Sequence, residues 1–156
     1  LYPLEAVGAG DSTLAKAYER DALTMIPTKS KLMPHAREVL EYLSRKYNLY
    51  ILSNGFKELQ SHKMRSSGID EYFKKVVLSD DIGILKPWPE IFHFALSTTQ
   101  SELNNSLMIG DSWENDIVGA AGVGMHQGFY NLSGRIDLPF APTYQITDLK
   151  DLFNFL

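Results

Sequence analysis

From residue 34 to the C-terminus, short apolar runs alternate with helical patterns, and three of those runs stop abruptly at a polar cluster. This alternation constrains the fold more than any other feature of the chain. A run of four or five apolar residues suits a buried strand, and a helical connection returns the chain to the edge it left, so successive strands lie parallel. The expected runs are Leu49–Leu52, Val76–Leu78, Leu107–Ile109, a stretch near Gln127–Tyr130, and Tyr144–Ile146.

Between them, apolar residues recur at helical spacing. One helix begins at Pro34 and carries Ala36, Val39, Leu40 and Leu43. A second spans 56–67, with Gly68 placed as a left-handed cap. A third follows Pro87-Trp88-Pro89 and carries Ile91, Phe92, Ala95 and Leu96, and a fourth runs from about Trp113 to Ala121. A terminal helix is expected after Thr147 or Asp148. Upstream, Leu14, Tyr18, Ala22 and Met25 predict a helix over 11–26, ended by Pro27. The expectation is an α/β fold of three layers, Rossmann-like, with residues 34–156 as one parallel-sheet core and residues 1–33 packing separately.

The 156 residues hold 15 Lys+Arg against 19 Asp+Glu and no cysteine. Zinc–thiolate sites, disulfides and cysteine nucleophiles are therefore excluded, and a mildly acidic chain without a basic cluster is a poor nucleic-acid binder. Apolar runs are far short of a membrane span. The first residues, Leu1-Tyr2-Pro3-Leu4-Glu5, carry neither a Met nor a signal-peptide core, so a cytoplasmic location is expected. His35, His62, His93 and His126 show no paired spacing for a metal.

In open parallel sheets, ligands bind beyond the carboxyl ends of the strands. Ser53-Asn54-Gly55 follows the first run; its hydroxyl, amide and flexible backbone suit phosphate binding, or else a turn and a helix cap. Lys86 lies in the loop after the second run, where its ammonium can neutralise a phosphoryl group, or else sits in solvent as most lysines do. Gly110-Asp111-Ser112-Trp113-Glu114-Asn115-Asp116 follows the third run. There Asp111 suits a Mg²⁺ ligand with Asp116 orienting its neighbours, although Asp111 with Glu114 also mimics a capping box. Together, phosphate donors, a cation and two carboxylates on one sheet edge are the parts of magnesium-assisted phosphoryl transfer.

Residues 32–156 resemble the haloacid dehalogenase-like (HAD) hydrolases. Leu49–Gly55 is similar to the family's second motif, Lys86–Phe92 to its third and Met108–Ile117 to its fourth. Leu32–Ala36 with Ser53–Glu58 most resembles the noncanonical pyrimidine nucleotidase branch. Trp88 departs from the aspartate commonest there. The resemblance implies a Mg²⁺-dependent phosphatase acting on a small phosphate ester. Ser53, Asn54, Gly55 and Lys86 would bind phosphate, Lys86 and Asp116 would serve catalysis, and Asp111 would hold metal with Asp116 behind it. It also implies an aspartate nucleophile in a D-x-D motif. No two of the ten aspartates are two positions apart. Residues 1–33 are accordingly expected to be the end of a helical cap, and this chain alone to be inactive, with the D-x-D strand upstream. A naturally short, non-catalytic phosphate- or metal-binding module is the alternative. A central strand lacking from the sheet is expected to be replaced by a swapped strand, a partner chain or a dimer, or by direct pairing of strands 49–52 and 107–110.

Overall fold

The computed structural model describes residues 30–156. The expected helix 11–26 and nearly all of the proposed cap segment 1–33 lie outside these residues. Helix α1 spans Ala36–Lys46, followed by β1 (Leu49–Ser53), α2 (Lys57–Ser67), β2 (Phe73–Leu78), α3 (Pro89–Thr99) and β3 (Leu107–Gly110). A wide turn of helix over Trp113–Val118 runs into α4 (Gly119–Gly122), then β4 (His126–Tyr130), β5 (Tyr144–Ile146) and a closing 3₁₀ segment, Leu149–Asn154.

Local chemistry explains the boundaries. Gly68 takes φ 61°, a left-handed conformation that stops α2, and Pro89 opens α3, where the absent N–H costs nothing. The expected α-helical terminus is instead 3₁₀. Asp148 caps it by accepting from the Lys150 N–H, while the Asp151 carboxylate reaches back to the N–H groups of Thr147 and Asp148 at 3.0 Å each.

All strand pairings are parallel, as the alternation requires, but among the described residues they form two separate ladders. β1 pairs with β2, and β3–β4–β5 pair in that order. Of the alternatives expected for the sheet, direct pairing of strands 49–52 and 107–110 does not form among the described residues. The two ladders nevertheless share both helical layers. On one face Leu49 of β1 and Ile109 of β3 pack against Val39, Leu43, Ile146 and Leu152. On the other, Leu52 and Met108 pack against Ile91, Phe92, Ala120 and Met125. Successive strand side chains point to opposite faces, which is why Met108 and Ile109 serve different cores. Arg37 ties α1 to the end of α2 by donating to Ser67 O and Gly68 O at 2.9 and 3.0 Å.

Candidate active site

The polar clusters meet at the carboxyl ends of β1 and β3. Lys86 is the joint. Its ammonium donates to Leu52 O, the last carbonyl but one of β1, at 2.9 Å, and to Asp116 Oδ1 at 2.5 Å. Only 10% of the Lys86 side chain and 7% of the Asp116 side chain are exposed, so the solvated-lysine alternative does not hold. An ammonium has three donors, and these two are its protein acceptors among the described residues.

Asn54 fixes the Lys86 backbone. Its Oδ1 accepts from Lys86 N at 2.7 Å and its Nδ2 donates to Lys86 O at 3.0 Å. Each end of the Asn54 amide thus makes one hydrogen bond to the Lys86 backbone and clasps the lysine loop, while the second N–H of Nδ2 is not used in this clasp. Ser53 Oγ lies one residue earlier and accepts from Gly55 N at 3.0 Å and Gln60 Nε2 at 2.7 Å.

On the other side, Asp111 is exposed just past β3. Asp116 turns back toward the strand: its Oδ2 accepts from Ser112 N at 3.1 Å. The expected α-helix here is a wider coil, with Ile117 N reaching Ser112 O five residues back, and such bulges recur at functional sites. Gly110 makes the close approach possible, since a Cβ there would lie 2.2 Å from Asp116 Oδ2. The capping box of Asp111 with Glu114 is not formed. Ser112 is the cap, accepting from Asn115 N at 3.3 Å. Glu114 instead pairs with Arg135 at 3.0 Å, and that hydrogen bond holds its carboxyl below the usual range.

The other adjacent acids, Asp80 and Asp81, are structural. Asp81 Oδ2 accepts from Leu78 N at 2.9 Å, and Asp80 Oδ2 from Lys57 N at the start of α2 at 3.4 Å. Gln60 and the Arg135–Glu114 pair escaped the sequence reading, because a polar residue within a helix and a loop arginine carry no signal of their own. The spacing of Gln60 from Ser53, seven residues across a turn, is legible only once the turn is known.

Among the described residues no three His, Cys, Asp or Glu side chains are grouped to hold a metal. Magnesium keeps several waters and needs only one or two carboxylates plus substrate oxygens. Asp111 fits as one such donor. Asp116, committed to Lys86 and the Ser112 N–H, fits as a neighbour that orients rather than ligates.

A parallel α/β core thus carries a buried lysine between a serine turn and an aspartate turn. Residues 3–124 match the model of the haloacid dehalogenase-like hydrolases, and the chain belongs to that family. The HAD-hydrolase YfnB of Bacillus subtilis is 31% identical over 99% of this chain and 64% of its own length. Its magnesium-bound crystal structure superposes with a TM-score of 0.83 at 28% identity, covering 99% of this chain and 72% of that one. Pyrimidine 5'-nucleotidase YjjG of Escherichia coli is 31% identical over 80% of this chain and 56% of its own length. Phosphoserine phosphatase of Thermus thermophilus is 30% identical over 96% and 59%. The chain therefore spans 56–64% of the length of these curated relatives.

Proposed function

We propose that the protein containing this chain is a magnesium-dependent phosphatase of small phosphomonoesters, with nucleoside monophosphates the substrate class to test first. The observation that carries this reading is Lys86. A buried ammonium set between the serine turn and the aspartate turn is suited to an anion whose charge grows during reaction. The nucleotidase and phosphatase relatives support the same choice.

In this reading the residue-53 hydroxyl and the Asn54 N–H bind phosphoryl oxygens, while the Gly55 N–H holds the Ser53 hydroxyl. Lys86 neutralises them, and Asp116 holds Lys86 in place while Asp111 faces the cation. Bound magnesium would supply positive charge to the phosphoryl oxygens. The attacking group, by resemblance an aspartate that forms an aspartyl-phosphate before water releases the phosphate, is not among the ten aspartates in any D-x-D spacing. The chain alone is therefore proposed to be inactive.

The strands support a further part of this reading. β1 and β3 are apolar yet only half-buried throughout, whereas Val77, Leu78, Phe129 and Ile146 are at most 2% exposed. Interior parallel strands are usually buried on both faces and paired on both edges. We infer that β1 and β3 flank one more parallel strand, brought by residues outside 30–156, by exchange with a second copy or by a partner chain. A cytoplasmic location is part of the same proposal; among the described residues no helix is long and apolar enough to cross a membrane.

The test is Mg²⁺-dependent hydrolysis of p-nitrophenyl phosphate and of nucleoside monophosphates. The 156-residue chain should show no turnover. A chain extended upstream through an apolar strand ending in D-x-D should show it, and lose it on substitution of the first of those aspartates. Robust turnover by the 156 residues alone would overturn the proposal. An upstream reading frame without D-x-D would favour the non-catalytic binding module.

A further inference from the structure

Ser53 has a neighbour that fixes which way its proton points. A hydroxyl has one donor and two lone pairs. Both lone pairs of Ser53 Oγ are occupied, by Gly55 N at 3.0 Å from within the turn and by Gln60 Nε2 at 2.7 Å from the first turn of α2. With both acceptor positions filled, the O–H is left to donate in a remaining direction. Gly55 is also what gives Gln60 its path: a Cβ at residue 55 would lie 2.5 Å from Gln60 Nε2 and 3.1 Å from its Cδ. The glycine and the glutamine are therefore one device, and the Asn54-Gly55 turn is more than a change of direction.

We propose that Gln60 is a positioning residue that saturates the acceptor side of Ser53, so that this hydroxyl acts as an obligatory donor toward an anion at the sheet edge. This rests on the reading of Ser53 as a phosphoryl contact. It adds a selectivity rule to that reading. A site whose serine can only donate favours a ligand offering fully deprotonated acceptor oxygens, such as a phosphate dianion, over one that must itself donate. Gln60→Leu leaves the hydroxyl free to turn inward, and Gln60→Glu reverses the polarity, because a carboxylate accepts and draws the proton away from the ligand.

Two measurements on the 156-residue chain test it. The first is the affinity for inorganic phosphate, followed by calorimetry between pH 6 and 8. Gln60→Leu should weaken binding about fivefold, the scale of one neutral hydrogen bond. Gly55→Ala should do the same by displacing the amide, and Gln60→Glu should weaken binding further. Added to Ser53→Ala, Gln60→Leu should change nothing. An equal loss in the Ser53→Ala background would overturn the proposal, since Gln60 would then act without Ser53. The second measurement reads the contact itself: the side-chain amide signals of Gln60 and the Gly55 N–H should both shift in the nitrogen–proton spectrum of Ser53→Ala. Unmoved Gln60 signals would overturn the proposal whatever the affinities. If Ser53→Ala binds phosphate as well as the parent while those signals do shift, the phosphate role of Ser53 falls and the hold of Gln60 on it stands.

Discussion

The two ladders of the sheet carry opposite chemistry. The β1–β2 side carries the donors of the proposed site: Ser53, the Asn54 N–H and, beyond β2, Lys86. The β3–β4–β5 side ends in acceptors, Asp111 and Asp116. In the proposed function neither half suffices alone, since the cation ligand is assigned to one and the anion cradle to the other. Among the described residues no ladder joins them. They are held by two shared apolar layers and by one buried ion pair, Lys86–Asp116. The pair that assembles the site therefore also joins the halves, so changes there should cost both stability and binding.

The largest expected effect comes from breaking that pair. Lys86→Met leaves the Asp116 carboxylate buried without its cation, a loss on the order of 3–5 kcal/mol in urea unfolding. Lys86→Met combined with Asp116→Leu should recover part of this loss, because no buried charge is then left alone. Gly110→Ala should act in the same direction, as its methyl would occupy the space of Asp116 Oδ2. If Lys86→Met were as stable as the parent, the ion pair would not be what couples the two halves.

A smaller effect separates this junction from the far end of the second ladder. Asp151 accepts from the N–H groups of Asp148 and Thr147, and these hold its carboxyl below the usual range. A carboxyl with a lowered folded pKa stabilises above its unfolded value, about 3.9, and loses that contribution as pH falls through the folded value. Asp151→Asn should therefore lower the Tm at pH 7 modestly, and the gap to the parent should close as pH falls below about 4. A gap that persisted unchanged to lower pH would mean that the carboxylate charge contributes nothing.

Much of this was legible in the residues. Gly68, Pro89 and the apolar runs announced their elements, because glycine, proline and period-two or period-3.6 patterns act locally. The meeting of Lys86 with Asp116 was legible only as a convergence at one sheet edge, since thirty residues separate them. The bulge at Trp113–Val118 was not legible. It depends on Asp116 folding back onto Gly110 and the Ser112 N–H, contacts that exist only in the folded chain. The clasp of Asn54 on Lys86 was hidden for the same reason: an Asn-Gly pair reads as a turn, and its partner lies 32 residues away. The lack of a D-x-D motif led to the expectation that some segment fills a gap between β1 and β3 or that the two pair directly; among the described residues no ladder joins them.

The central claim is that both halves contribute to one phosphate- and magnesium-binding site. Its most direct test is the affinity of the 156-residue chain for inorganic phosphate, with and without Mg²⁺, in the parent, in Ser53→Ala from the first half and in Asp111→Asn from the second. The account predicts that Mg²⁺ strengthens phosphate binding, that each substitution weakens it about tenfold, roughly the value of one hydrogen bond to a charged group, and that Asp111→Asn also removes the Mg²⁺ dependence. Phosphate affinity unaffected by either substitution, or indifferent to Mg²⁺ in the parent, would contradict it.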